Sequence, residues 1–368
     1  MTARRKEQWR NNLKKALTYD DINIVPKYSD IEHRNKINIS TQFTKKTVLT
    51  IPIVSSPMDT ITGYDMALEM MEWGGAGIVH RFMSIEKQTE IMKKLCHMPG
   101  TDHILIKNNL PKCAAIGVTG DYLERAQELF KNGCNVIVID VAHGHHKFVG
   151  EAIEKIKKNI SGVEVIAGSV ATEEATKYLC EKGADAIRVG IGNGSLCETR
   201  IRTGVGIPQV TALIDCVAVA DSYNAPVIAD GGIRNIGDVC KGLACGADTI
   251  MLGSLLSGTK ETPGTIEKIG EWPNEQLYKK YRGSASLDSK HDRGDDKNVE
   301  GNHKIIPYKG KVKRILNDIQ EGLRSSFSYV GANNISEFHS KVELIEITEQ
   351  EILKENHIYL ILNSIILC

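Results

Sequence analysis

The chain has 368 residues, with 46 Lys and Arg against 46 Asp and Glu, so no net field draws it to nucleic acid or to an anionic membrane surface. It is long enough for one large or two ordinary domains, and 41% hydrophobic residues with 33 glycines fit a globular α/β chain rich in tight turns. No apolar run approaches the roughly 20 residues that cross a bilayer, and the basic opening MTARRKEQWRNNLKK has no apolar stretch behind it, so neither a membrane span nor a secretory signal is expected.

Short β-branched runs recur along the chain, each followed by a turn and a helical pattern. They cover 51–55, 76–80, 113–118, 136–140, 163–168, 186–190, 226–230 and 249–253. Helix-like segments fall between them, at 121–132, 146–158, 172–182, 210–222 and 236–244. Eight strand signals alternating with helices predict parallel βαβ units. An open sheet rarely holds so many, so a closed TIM (β/α)8 barrel is expected. The crossover after His80 ends in a polar stretch, 97–109, read as a surface loop or a weak extra element. After the eighth strand the pattern breaks, and about 257–310 hold many Lys, Asp and Gly with little apolar periodicity. A stretch this long reads as a functional lid or flap, closed off by a helix over 311–325. The barrel and flap give one catalytic domain over 1–347. The tail 348–368 ends in HIYLILNSIILC, too short to span a membrane and expected to pack on the barrel or on a neighbour.

The nine cysteines show no CxxC and no Cys/His metal spacing, and their number is odd, so free thiols in a reducing cytoplasm are expected. Most read as small buried hydrophobes. Cys197 differs, because it lies in a polar glycine-rich loop, GIGNGSLCETR (190–200), just past a strand end.

In a TIM barrel the chemistry collects at the carboxyl ends of the strands. Those ends read SSPMD (55–59), HRF (80–82), IGVTGD (116–121), DVAHGH (140–145), AGS (167–169), GIGNGSLC (190–197), DGG (230–232) and GS (253–254). Nearly all are glycine, small polar or charged, as a ligand site requires. Gly231, Gly232, Gly253 and Ser254 follow strands 7 and 8, where such barrels bind phosphate, and Ser195 could donate another hydrogen bond. The same glycines could also simply make tight turns. Asp230 would repel a phosphate and better suits sugar hydroxyls. Cys197 is placed as a nucleophile, with Thr199 two residues on as a proton relay, although the loop alone equally fits a buried structural cysteine. His80, His143 and His145 have no spacing for a metal triad. Glu300, in KNVEG, is an acid that flap closure could bring over the ligand, among flap charges that are mostly solvated.

With those residues in view, the chain resembles the IMP dehydrogenase/GMP reductase family over roughly 16–347. The stretches that carry the resemblance are YDDINIVP (19–26), SSPMD, IVHRFMSIE (78–86), IDVAHGH (139–145), VGIGNGSLCETR, TGVGIPQ (203–209), VIADGGI (227–233), IMLGSLLSGT (250–259), YRGSAS (281–286) and RSSFSYVGA (324–332). In the loop, Asn193 and Glu198 depart from the commoner residues, while Cys197 and Thr199 are intact.

The resemblance implies a purine nucleotide substrate attacked at C2 by Cys197. In the dehydrogenase, C2 gives hydride to NAD and water releases XMP; in the reductase, GMP loses ammonia and NADPH returns hydride to give IMP. Dehydrogenases carry an Arg-Tyr pair in the flap as the base for water, but in HDRGDD (291–296) Arg293 is followed by Gly294. YRGSAS followed by KNVEG is similar to the flap of a branch of bacterial reductases. The interval 90–112 is also too short for the regulatory domain most dehydrogenases insert there. The resemblance therefore implies a GMP reductase, with an IMP dehydrogenase lacking that domain as the alternative.

It further implies the roles of individual residues. GMP would meet Ser56, Ser195, Asp230, Gly231, Gly232, Gly253, Ser254, Tyr281, Gly283, Ser284, Ala285 and Lys297. Thr199 and Glu300 would handle the proton that turns the amino group into ammonia. The nicotinamide would lie near Asp140, Val141, Ala142, Ile191 and Gly192, with Arg81 and Arg34 able to reach the cofactor's phosphates, across a subunit boundary if need be. Potassium would sit among the carbonyls of Gly192, Gly194 and Cys197, in a homo-oligomer, a tetramer by the family's habit.

Overall fold

A computed structural model describes residues 13–97, 110–271, 274–287, 289, 300–348 and 351. The eight apolar runs become β1 (Ile53–Ser55), β2 (Ala76–Val79), β3 (Cys113–Ile116), β4 (Val136–Asp140), β5 (Glu164–Val170), β6 (Ala186–Val189), β7 (Val227–Asp230) and β8 (Thr249–Leu252). They pair in parallel in chain order, and β8 closes back on β1, so the barrel expected from the sequence is the one observed.

Strand alternation divides the apolar residues between two cores. Val54, Ile78, Val136, Val138, Ile166 and Ile228 fill the barrel interior, where Phe43 and Leu49 join them from the hairpin Thr41–Gln42/Val48–Leu49. The hairpin plugs the amino-terminal end: Lys46 N–H donates to Glu164 Oε1 and Thr41 Oγ1 donates to the carbonyl of Asp248, both beside strand starts. Residues pointing outward, such as Ile137 and Ile139, join the larger cluster beneath the helices. A plugged lower end leaves the carboxyl ends as the open mouth.

Eight helices surround the barrel: α1 (Tyr64–Glu72), α2 (Ile85–Cys96), α3 (Tyr122–Lys131), α4 (Lys147–Asn159), α5 (Glu173–Glu181), α6 (Gln209–Ala220), α7 (Ile236–Ala244) and α8 (Val312–Val330). Their starts follow capping chemistry. Ser84, Thr172 and Asn235 each accept a first-turn N–H, from Lys87, Ala175 and Asp238. The strand Ile22–Ile24 pairs antiparallel with Leu344–Glu346 and draws the two ends of the described chain together. Residues 98–109, most of the polar stretch in the first crossover, and 352–368, most of the apolar tail, lie outside the described residues. No described helix is long and apolar enough to cross a membrane.

The flap carries more regular structure than its composition suggests. β9 (Glu267–Ile269), β10 (Gln276–Arg282) and β11 (His303–Pro307) form an antiparallel sheet. The charge pattern hides β10 because Lys279 points inward. Its ammonium is buried and donates to the carbonyls of Thr259, Lys260 and Thr262, which satisfies the charge with backbone oxygens.

Candidate active site

The strand ends and the flap enclose a cleft of about 630 Å3. Its lining includes Ser56, Ser195, Asp230, Gly231, Gly232, Gly253 and Ser254, and also Arg81, Asp140, Val141, Ala142, Ile191 and Gly192. Tyr281, Gly283, Ser284, Ala285 and Glu300 reach in from the flap. Among the site residues expected from the sequence, two stand apart. Lys297 lies outside the described residues, as do Arg293 and Gly294. Arg34 does not line this cleft; its Nη1 donates to Ser325 Oγ at 2.9 Å, and its guanidinium sits 5.5 Å over the Tyr329 ring.

Burial separates Cys197 from six of its fellows, and Cys96, half-buried like it, does not line the cleft. Cys113, Cys134, Cys180, Cys216, Cys240 and Cys245 are buried, and desolvation pushes their thiols up, Cys134 and Cys216 to about 12. Cys197 is half-buried and lines the cleft. Its Sγ donates to Thr199 Oγ1 at 3.2 Å, and Thr199 Oγ1 donates to Glu300 Oε2 at 2.8 Å. Sulfur, hydroxyl and carboxylate thus form a continuous path for a proton.

Backbone pairing holds this path together. Cys197 bridges antiparallel to Gly301, Glu198 N–H donates to the Glu300 carbonyl at 2.9 Å, and Asn302 N–H donates to the Leu196 carbonyl at 3.1 Å. The flap is therefore zipped onto the cysteine loop, and Glu300 arrives beside Thr199 by β-type pairing. The loop's own shape depends on Gly190, whose φ of +148° and approach to the Asp230 carbonyl, 1.9 Å from where a Cβ would stand, leave no room for a side chain.

Asn193, a departure from the family's commoner loop residue, ties the loop to its neighbours. Its Nδ2 donates to the Ile207 carbonyl and to Gln209 Oε1, while its carbonyl accepts Gly232 N–H at 2.8 Å. Ser56 Oγ is buried with no hydrogen-bond partner, an open hydroxyl on the same wall as Gly253. Ser195 Oγ and the Tyr281 hydroxyl lie 3.2 Å apart. The turn after β8 is braced by Lys309, which donates to the carbonyls of Ser254 and Leu255.

Asp140 and Asp230 are joined by a residue the sequence reading passed over. Arg188, on β6, donates to Asp140 Oδ1 at 2.7 Å and to Asp230 Oδ2 at 2.9 Å. Burial works against its charge, but the two carboxylates outweigh burial and raise its pKa. The available signal was an arginine inside an otherwise apolar barrel strand. His80 is buried, which lowers its pKa to about 4, and its Nδ1 accepts the Phe82 N–H, so the ring is neutral. No described cluster of His, Cys, Asp or Glu could hold a metal ion.

Comparison with known proteins agrees with this construction. Residues 16–359 match the family model described as the IMP dehydrogenase / GMP reductase domain. An inosine-5'-monophosphate dehydrogenase from Cryptosporidium parvum is 39% identical, the match covering 95% of this chain and 96% of that protein. The corresponding protein of Aquifex aeolicus is 34% identical over 94% of this chain and 96% of its own length. Among solved structures, a GMP reductase variant from Trypanosoma brucei in complex with guanosine 5'-monophosphate superimposes with a TM-score of 0.87, at 26% identity, covering 94% of this chain and 98% of that one. The cleft, the loop cysteine and these matches place the chain in the IMP dehydrogenase/GMP reductase family, as an oxidoreductase built on a TIM barrel.

Proposed function

We propose that the chain is a GMP reductase, converting GMP to IMP and ammonia through a thioimidate on Cys197. The observation that carries this reading is the hydrogen-bonded path from Cys197 Sγ through Thr199 to the Glu300 carboxylate. As the sulfur bonds to C2, the thiol proton passes to Thr199 and Glu300. The same path returns it to the leaving amino nitrogen, which departs as ammonia. NADPH, when bound, supplies the hydride that restores C2 as the sulfur leaves. Val141, Ala142, Ile191 and Gly192 offer an uncharged, largely apolar lining for its flat ring.

On this reading the phosphate of GMP lies on Ser195, Gly232, Gly253 and Ser254, and Asp230 takes the ribose hydroxyls. The open hydroxyl of Ser56 suits a polar ligand atom. The flap, with Glu300 paired to the cysteine loop, keeps water from the thioimidate. Lys297 and Arg34 are assigned to the ligands as well, Arg34 from a neighbouring subunit of a homotetramer. The carbonyls of Gly192, Gly194 and Cys197 are hard oxygen donors fit for potassium, and the Gly194 oxygen, which accepts the Cys197 N–H at 3.0 Å, has a second lone pair to offer.

What separates the reductase from its sister activity is the flap sequence, where Arg293 precedes Gly294 and not a tyrosine that could activate water. The curated relatives named as dehydrogenases favour the second reading, oxidation of IMP to XMP with NAD. Incubation with GMP plus NADPH, and separately with IMP plus NAD, decides between them by absorbance of the reduced cofactor. Oxidation of NADPH by GMP is the expected result. Reduction of NAD by IMP, with no reaction of GMP, would overturn the reductase assignment.

A further inference from the structure

Arg188 joins two carboxylates, at the ends of β4 and β7, that line the cleft. Its Nε and Nη2 lie 2.9 and 2.8 Å from Asp230 Oδ2, and its Nη1 lies 2.7 Å from Asp140 Oδ1. All three side chains are largely buried, at 12, 20 and 14% exposure. The second oxygen of Asp140 is 3.6 Å from Arg81 Nε, too long for a hydrogen bond, and that Nε is buried without a hydrogen-bond partner. The four side chains form a row of alternating charge, Asp230, Arg188, Asp140 and Arg81, along the cleft lining.

We infer that Arg188 is a positioning residue that couples the two ends of this row, so that a nucleotide on Asp230 strengthens binding of an anionic dinucleotide at Arg81. The inference rests on the nucleotide reading given above. Ribose hydroxyls that donate to Asp230 draw part of its charge away from Arg188. The guanidinium then leans on Asp140, and Asp140 in turn holds Arg81 less strongly. Arg81, whose Nε has no acceptor of its own, is freed for phosphate oxygens. Burial makes the steps through Arg188 count, because charges facing one another out of water are poorly screened, while Arg81, 35% exposed, is open to a ligand. A lysine could not substitute, since a single ammonium lacks the fork that reaches both carboxylates.

The test is a binding cycle with pairs that do not react, NADP+ with GMP and NAD+ with XMP, followed by calorimetry. In the intact protein the dinucleotide is expected to bind about 5-fold or more tightly when the nucleotide is present, and the nucleotide likewise when the dinucleotide is present. Arg188→Lys should bring that ratio to about 1, whatever its effect on the affinity for nucleotide alone. Asp140→Asn, which keeps the Arg188–Asp230 pair, should do the same and serves if Arg188→Lys does not fold. A ratio near 1 in the intact protein, or an unchanged ratio in either folded variant, would overturn the coupling. Coupling seen only with XMP and NAD+ supports the role of Arg188 and overturns the reductase assignment instead. Failure of both nucleotides to bind would remove the nucleotide reading, and the coupling with it.

Discussion

Thr199 and Glu300, 101 positions apart in the chain, share a 2.8 Å hydrogen bond beside the Cys197 sulfur. The hydroxyl donates to the carboxylate and accepts from the thiol, so on the proposed function one geometry would serve both proton removal from sulfur and proton delivery to a leaving group. Two consequences can be measured separately.

Glu300→Gln keeps the size and a hydrogen-bond acceptor but cannot take up a proton. Release of ammonia from GMP should slow by about 10^2- to 10^4-fold, the usual worth of a positioned acid or base. Hydride exchange between IMP and the cofactor needs no leaving amine and should fall far less. Parallel stopped-flow measurements of the two steps check this. Equal losses would assign Glu300 to holding the flap, which its backbone pairing with Glu198 already does.

Cys197→Ala removes the nucleophile without disturbing the turn, since the Cys197 N–H to Gly194 carbonyl bond is main-chain. Turnover should fall by at least about 1,000-fold. GMP should still bind, to within a few-fold, because the residues proposed for its phosphate and ribose are others of the cleft. Turnover near that of the unaltered protein would take the thiol out of the mechanism.

Much of this was legible in the residues because barrel strands are short and apolar and their ends are chemically distinct. The eight runs fixed the fold, and Cys197, Asp230, Gly253 and Glu300 fall where those ends converge. Three features were not legible, each for a physical reason. The β9–β11 sheet was hidden because Lys279 meets backbone carbonyls, so a buried strand residue reads as a surface charge. Arg188 was missed because its partners, Asp140 and Asp230, are 48 and 42 positions away. The pairing of Glu300 with the cysteine loop is main-chain, and main-chain bonds leave little mark on side-chain choice.

Gly190→Ala probes the junction of the cysteine loop with the end of β7. The added Cβ would stand 1.9 Å from the Asp230 carbonyl oxygen, and φ of +148° is strained for any L side chain. Something must shift at the ends of β6 and β7, at a cost of about 2–4 kcal/mol. Denaturant titration should show that loss, and nucleotide affinity should fall with it because Asp230 moves. Stability within about 0.5 kcal/mol of the parent would show that the loop relaxes freely.

Gly294→Tyr restores the side chain that dehydrogenases place after the flap arginine, at a position outside the described residues. On the proposed function, the Arg-Tyr pair so restored would give water a base, and XMP formed from GMP should rise by about 10-fold, below the roughly 10^2- to 10^4-fold of a well-placed base. Chromatography of the products reads this directly. No XMP above the parent level would mean that the rest of the flap decides the outcome.

Asp248 sits at the foot of β8, where its Oδ2 accepts the Val227 N–H at 2.7 Å. Burial pushes its carboxyl up from 3.8 to about 6 in the folded protein. A raised acid stabilises the fold only while it is protonated, so its contribution is fully present below 3.8 and is lost as pH rises through 6. Above that, the buried carboxylate costs up to about 3 kcal/mol. Asp248→Asn can still accept the Val227 N–H and carries no charge. The variant should therefore melt higher than the parent at pH 8, with the gap narrowing as the pH falls from 6 to 4. A gap of the same size at pH 8 and pH 4 would show that the substitution acts through packing and not through ionisation.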